Sequence, residues 1–498
     1  MGTTRPGPPG TAPVPVTGGP DGDAPAAHVR RGGRPAAPTA VLAGFHAQSH
    51  DKDVSQVETL FFGPSLSNGL ALPVPGQERP PLPALGPLRD TGAAGPALGG
   101  PWTYAQRLLA ACVEAVRVRR VSAADRYPVH RAYPSPRGLF GADLFVVHAA
   151  DDPAPWILRV DPQSHALQPW GGCRVPDDLE AALTAARLVV AVDHRRYPPE
   201  YGRLRPSLAL LEGGHLLAAL GLTLTRAGLA PRTHLGPTDT PLPDGFSPCG
   251  AITLEPAGRP GPPPTPLTPS GRDRVPASDR RTAGASSTPG ISAEATRRVA
   301  ETAAGGAASG TGLRGWLDDR TSGVSTANLV TSAYVSPEDG TGVTSPLVAA
   351  LAAAQEAVPV PGCLRLYRTV LVDDLVNERA ASELTPDGAE LPPRPVPRTG
   401  ETNFASSLGY TLTADFAPWA RAHGDGAQSV LHTLLGWVAQ WGCLGAAATG
   451  LCARPMRNYQ EADWAAALGL APEETPAYQL WVRAERGAFM DTPVDAAR

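Results

Sequence analysis

Residues 133–147 read YPSPRGLFGADLFVV. The first part, Pro134-Ser135-Pro-Arg137-Gly138, is turn chemistry, because proline presets φ, serine bonds its own backbone and glycine admits left-handed angles. It runs straight into Asp143-Leu-Phe-Val-Val147, whose apolar, β-branched character predicts a strand. Further along, Glu200-Tyr201-Gly202-Arg203 opens a long apolar stretch, 206–228, that contains Glu212-Gly-Gly-His215. Apolar nearly all round, that stretch predicts a central core helix, and Pro206 suits its first turn.

Outward from these two segments the chain divides by composition. Residues 1–40 are rich in Pro, Gly and Ala without periodicity and are expected to be disordered. Residues 41–236 carry helix and strand patterns. Residues 237–290, including the run GRPGPPPTPLTP, have the composition of a linker. Patterns resume over 291–486, and 487–498 form a tail. Tyr104–Val118 shows a helical stripe, strands are expected at 143–148, 156–160 and 187–193, and a helix at 177–186. The second part repeats that order, with strands at 364–372 and 409–414, a helix at 428–442, another near 461–468 and a strand at 478–482. The reading is an α+β chain made of two tandem domains.

Composition excludes several functions. With 498 residues there is room for two or three domains. A net charge of −4 and a pI of about 6.3 offer no electrostatic grip on nucleic acid. No uninterrupted apolar run approaches the roughly 20 residues of a membrane span, and Met1-Gly-Thr-Thr-Arg-Pro lacks a secretion-signal core. A soluble, cytoplasmic protein is expected. Six scattered cysteines without a CxxC pair read as free thiols. Eleven histidines show no HExxH spacing, so no metal is expected. No G-x-S-x-G elbow, P-loop or dinucleotide fingerprint appears. Lys52 is the sole lysine.

The order of Pro-Ser turn, strand, Tyr-Gly-Arg and Gly-His helix resembles the SagB/ThcOx-type flavin oxidoreductases of the nitroreductase superfamily. Those proteins commonly read PSGGxLYPLELYVV followed by KYGxRxxRxxxLxAGH. The resemblance covers 41–236 well and 291–486 more loosely. It implies two nitroreductase-like domains forming an internal pseudo-dimer, with FMN held between them.

In that family one copy supplies an R-x-S segment and a later arginine for the flavin phosphate, and the other supplies the Pro-Ser turn against the ring. Arg320-Thr-Ser322 resembles the R-x-S, with Val324 in place of a further arginine, and Arg457 with Asn458 is expected to close over it. Pro134, Ser135, Arg137 and Gly138 supply the turn. The second half has lost the serine in Pro359–Leu364, reads His423-Gly-Asp where the first has Tyr-Gly-Arg, and has Gln428-Ser429 in place of Gly-His. One intact composite site per chain is therefore expected.

The resemblance implies oxidation of a thiazoline or oxazoline in a ribosomally made, thiopeptide-like product. A proton leaves the ring Cα, a hydride passes from Cβ to flavin N5, and oxygen reoxidises the flavin. Family members place a Lys-Tyr pair near the ring; here Glu200 replaces the lysine beside Tyr201. Glu200, if buried, and Tyr201 are the catalytic candidates, with helix-start packing as the alternative. His215 reads as a satisfied core histidine. The implied partners are the azoline-containing precursor peptide and the cyclodehydratase. A decayed subunit that only scaffolds the peptide, and a reductase of quinones or nitro compounds, are the competing classes.

Overall fold

A computed structural model describes residues 103–254 and 289–493, apart from 123–126, 128, 149–155, 164, 171–172, 239, 241, 243–244, 306–312, 323–334, 359, 361, 374–377, 397–406 and 485–490. The expectations for 1–40, most of the linker, Val324 and Lys52 fall outside the described residues.

Among the described residues the first half begins with α1 (Tyr104–Val116), whose start is fixed by reciprocal bonds between Thr103 and Gln106. Strands β1 (Val118–Ser122) and β2 (Val129–Arg131) pair as a hairpin. Then come β3 (Ala142–Val147), β4 (Ile157–Asp161), β5 (Ala166–Pro169), the short α2 (Leu179–Thr184), β6 (Arg187–Asp193), α3 (Leu204–Arg226), β7 (Pro231–Leu235) and β8 (Phe246–Leu254). After the gap follow β9 (Gly290–Ile291), α4 (Ala293–Gly305), α5 (Leu313–Asp319) and α6 (Thr341–Ala357). The second half continues with β10 (Leu364–Asp373), β11 (Glu378–Leu384), β12 (Arg394–Val396), β13 (Leu408–Asp415), α7 (Phe416–His423), α8 (Ala427–Ala448), β14 (Cys452–Met456), α9 (Glu461–Leu468), β15 (Glu474–Arg483) and β16 (Asp491–Pro493).

One sheet runs β5-β4-β3-β6-β8-β7-β9 and the other β12-β11-β10-β13-β15-β14. Taken in chain order, the first six strands of one sheet occupy the same places as the six of the other. In both, the long apolar helix falls between the fourth and fifth. The described strand pairings are antiparallel, so the chain is mixed α and β with antiparallel sheets. β3 is central and buried along its whole length, which explains its apolar run Leu144–Val147, and its one acid, Asp143, is paired with Arg159 and Arg196.

Two boundaries are corrected. The segment 237–290, read as linker, contains β8, which lies between β6 and β7 at the heart of the first sheet. Its sequence, FSPCGAITL, hides the strand behind Pro, Ser and Gly. The tail contains β16, which pairs with β1, so the C-terminal end completes a small sheet of the first half. α3 has the length and apolar composition of a membrane span, yet nearly all of it is buried inside the protein. It is the core helix that its all-round apolarity predicts.

α3 and α8 cross at contact distance. A Cβ on Gly214 would stand 2.0 Å from the carbonyl oxygen of Thr433, and one on Gly436 would stand 2.1 Å from that of Leu211. Leu211 and Thr433 each precede their glycine by three residues, so the two contacts exchange under a two-fold rotation. That reciprocity is the signature of a dimer-like interface. The same register pairs Tyr201-Gly202 with His423-Gly424, and the two glycines share an unusual backbone, φ 48, ψ −125 against φ 54, ψ −132. It also corrects one alignment: Gly214-His215 corresponds to Gly436-Trp437, not to Gln428-Ser429. A single apolar core, from Leu108 and Leu144 to Leu347 and Trp441, spans both halves.

Candidate functional site

The Pro-Ser turn is pinned to α3. Ser135 donates from Oγ to Oε2 of Glu212 at 2.6 Å and accepts from the Phe140 amide at 2.7 Å. Glu212 also accepts from the Tyr197 hydroxyl at 2.8 Å and the Ala142 amide at 2.9 Å. Its carboxyl is buried, and burial raises its pKa against the pull of those donors. Sequence reading quoted Glu212 only as part of the Gly-His helix. A lone acid inside an otherwise apolar helix was the available signal, since such a group survives only when its oxygens are bonded.

After Ser135 the chain makes a tight turn, Pro136–Gly138, in which Arg137 has φ 54 and Gly138 φ 67. Left-handed angles are free for glycine and costly for arginine. Arg137 is half-buried, and its Nη2 is enclosed without a hydrogen-bond partner.

From the second half, Arg320 enters buried. Its Nε donates to the Arg131 carbonyl at 3.1 Å and its Nη1 to Ser322 Oγ at 3.4 Å. Arg120 in turn donates to the Arg320 carbonyl at 3.2 Å. Arg131 donates to the Tyr133 hydroxyl at 3.2 Å and lies 4.4 Å from the centre of the Phe140 ring. The expected R-x-S segment of one half therefore docks on the strand that leads into the Pro-Ser turn of the other.

Positive charge accumulates there. Burial first, then Arg120, pulls the Arg320 pKa down to about 10. Burial, Arg120 and Arg320 together hold His130 at about 3. Mutual repulsion among buried cations, with Arg131 Nε also enclosed without a hydrogen-bond partner, is what a bound phosphate dianion would offset. The residues thus fit the phosphate of FMN. Arg120, His130 and Arg131 are the contributors that the motif search missed; the signal was VRRV and VHRAY just ahead of the turn.

Arg457 lies in the second half, between α8 and α9. Its Nη1 lies 3.1 Å from His432 Nε2 and its Nη2 donates to Glu461 at 3.4 Å. Arg454, three residues earlier than Arg457, is the arginine that reaches the R-x-S segment, donating to the Ser322 carbonyl at 3.0 Å. Asn458 is half-buried beside Arg457.

Tyr201 ends a short turn, Pro199–Tyr201, just ahead of α3 and is half-buried. Burial raises its pKa above the ordinary phenol value, while the charge of Arg137 pulls the other way. Glu200 is exposed, so the burial that a base role asked of it is not there.

His215 is satisfied on both ring nitrogens. Nδ1 lies 2.9 Å from Gln440 Oε1 and Nε2 lies 3.0 Å from the Tyr478 hydroxyl. Gln440 also donates to the Ala132 carbonyl at 2.9 Å. With the amide oxygen facing it, Nδ1 carries the proton and Nε2 accepts from Tyr478. This chain joins the backbone before the turn to α8 and β15, so the histidine is a structural tie between the halves. A cleft of about 470 Å³ lined by Glu461, Ala465, Leu470 and Glu474 lies against α9 and contains none of the turn residues.

No protein-family profile matches this chain, and no curated protein matches its sequence. Solved structures do match. A protein from Anabaena variabilis, provisionally named a nitroreductase, aligns over 89% of this chain and 99% of its own, with TM-score 0.56 and 16% identity. A similarly named Ralstonia eutropha protein covers 36% of this chain and 85% of its own at TM-score 0.28 and 16% identity. The Escherichia coli microcin synthetase McbBCD complex with truncated pro-MccB17 covers 44% of this chain and 93% of the matched one at TM-score 0.25 and 17% identity. The first match shows that the fold is nitroreductase-like and extends through both halves.

Proposed function

We propose that the chain is a tandem-duplicated, FMN-dependent dehydrogenase that oxidises thiazoline or oxazoline rings of a ribosomally made peptide to the aromatic azoles. The observation that carries this reading is the junction of the halves: Arg320 of one docks at 3.1 Å on Arg131, which precedes the Pro-Ser turn of the other. FMN, when bound, supplies the hydride acceptor. Arg320, Ser322, Arg131 and Arg120 would hold its phosphate, and Pro134, Ser135 and Gly138 would lie against its ring. Glu212 keeps the turn in place. Tyr201, whose phenol burial holds protonated, serves as a donor at the site. The second half keeps neither partner of the Ser135–Glu212 bond: its turn counterpart lacks serine, and α8 has Leu434 at the position of Glu212. One site per chain follows. The precursor peptide and the cyclodehydratase are the proposed partners.

The exposure of Glu200 favours a second reading, a catalytically decayed subunit that retains the fold to scaffold the peptide. The absorption spectrum and flavin content of the purified protein separate the two. About one FMN per chain, lost in Arg320→Ala, together with a two-hydrogen mass loss from an azoline peptide, supports the oxidase. A colourless protein that cannot be loaded with FMN leaves the scaffold.

A further inference from the structure

Phe140, at the exit of the Pro-Ser turn, has a left-handed backbone with φ 48. For a bulky side chain that conformation is strained, and it persists only where the surroundings fix it. Here they do. The Phe140 amide donates to Ser135 Oγ at 2.7 Å, and its carbonyl accepts from Arg196 Nη1 at 2.8 Å. Arg196 is itself paired with Asp143 at 2.7 Å. On the next residue, Gly141, a Cβ would run into the ring of Tyr197, whose hydroxyl is bonded to Glu212. These tethers aim a buried ring. It packs T-shaped against Tyr133, with centroids 5.7 Å apart and planes at 87°, and the Arg131 guanidinium carbon lies over it at 4.4 Å from the ring centre.

What holds Arg131 decides what it can bind. The residue is buried, and among the described residues it makes no ion pair. Its Nη1 donates to the neutral Tyr133 hydroxyl at 3.2 Å, and its other support is the Phe140 ring. A carboxylate in that place would neutralise the arginine and compete with an incoming anion. A ring attracts the guanidinium through its quadrupole, keeps the charge intact and leaves N–H groups in the guanidinium plane for a ligand. We propose that Phe140 is a positioning residue for the flavin phosphate: its ring sets the Arg131 guanidinium in the phosphate cluster without neutralising it, and so ties the phosphate grip to the Pro-Ser turn. The proposal rests on the FMN reading above and deepens it.

The test compares FMN with riboflavin, which has the same ring system and no phosphate, by fluorescence titration of the full chain stripped of any bound flavin. The parent should bind FMN at least about tenfold more tightly than riboflavin, as expected for charge-assisted contacts to the phosphate. Phe140→Leu keeps an apolar side chain and removes the ring. It should lower the FMN-to-riboflavin affinity ratio about three- to tenfold, up to the worth of one desolvated cation–π contact. Pentafluorophenylalanine at position 140 keeps the shape and abolishes the negative ring face. It should lower the ratio similarly, and it carries the test if Phe140→Leu does not fold. In an Arg131→Gln background neither change should lower the ratio further. A ratio unchanged by the fluorinated ring, or affinities for both flavins lowered alike, would make Phe140 a packing residue and overturn the proposal while the FMN reading stands. Equal binding of FMN and riboflavin by the parent, or no binding of either, would overturn the phosphate assignment and the proposal with it.

Discussion

Ser135 and Glu212 are bonded at 2.6 Å, joining the turn of one sequence motif to the helix of the other. The bond explains why the motifs occur together: the turn's position is set by a carboxylate that only α3 can deliver. Glu212 is wrapped by three donors. Replacing it with leucine would leave all three without an acceptor in a buried site, each at about 1–3 kcal/mol. Glu212→Leu should therefore lose at least ~3 kcal/mol in urea denaturation. Ser135→Ala removes one of those donors and also leaves the Phe140 amide without its acceptor, and should cost about 2–3 kcal/mol. Unchanged stability in either variant would show that the turn is held by something other than this bond.

The helix crossing gives a second prediction. A methyl group on Gly214 meets the Thr433 carbonyl at 2.0 Å, backbone against backbone, with no flexible side chain to yield. Gly214→Ala and Gly436→Ala should each push α3 and α8 apart and destabilise by at least ~3 kcal/mol, the upper range for overpacking. Gly305→Ala, at the end of α4 with open space around it, should be neutral or slightly stabilising. Equal behaviour of the three in chemical denaturation would remove the close crossing from the interface.

Much of this was legible in the sequence, and the exceptions have physical causes. β3, β6, α3, α8 and β15 announce themselves because buried central elements need long apolar runs. The hairpin β1–β2 escaped, since VRRVS and VHR carry the charge of surface strands while facing a charged interface. β8 escaped because its Pro and Gly read as linker. The Ser135 turn and Arg320 could be named from resemblance, but their neighbours depend on which strands meet across the halves. Arg120, His130 and Arg131 become visible as a cluster only when Arg320 docks on them. Arg454 and Arg457 are three residues apart, and only the pairing of Ala453 with Thr321 determines which one faces Ser322.

Between the halves, Arg117 and Arg119 are buried and share two acids, Glu114 and Asp318. The acids differ in exposure: the side chain of Glu114 is 6% exposed and that of Asp318 40%. Neutralising a buried member of an ion cluster leaves its partners uncompensated at roughly 3–5 kcal/mol, whereas an exposed member is largely screened and worth about 0–1 kcal/mol. Glu114→Gln should therefore destabilise far more than Asp318→Asn, and the smaller cost of the latter should shrink further as the salt concentration is raised. Denaturation at two ionic strengths distinguishes them. Equal costs would mean that Asp318, the cross-half partner, dominates the docking of α5 on β1.

The buried histidines set a pH dependence of definite sign. His215 is fully enclosed and held at about 3, mainly by burial. The unfolded chain takes up a proton at that residue below about pH 6.5, and the folded chain does not until about 3. Between those values the unfolded state binds more protons, so the stability contributed by neutral His215 is present above pH 6.5 and is lost as pH falls. The slope is about 1.4 kcal/mol per pH unit for each such histidine. Glu212 works in the opposite sense, because its raised pKa favours the folded state as the carboxyl protonates. Comparing His215→Asn with the parent protein cancels that contribution. The parent's advantage at pH 7 should shrink by up to ~1.4 kcal/mol per unit between pH 6.5 and 5, and a constant difference would show that His215 titrates alike folded and unfolded. His130 adds a sharper version, because Arg120 and Arg320 as well as burial keep it neutral. A phosphate dianion bound among those arginines would weaken that repulsion and let His130 protonate in the fold. Saturating FMN, or inorganic phosphate alone, should then flatten the parent's acid slope, with a smaller effect on the His215 difference, because burial outweighs the charge of Arg320 at that ring.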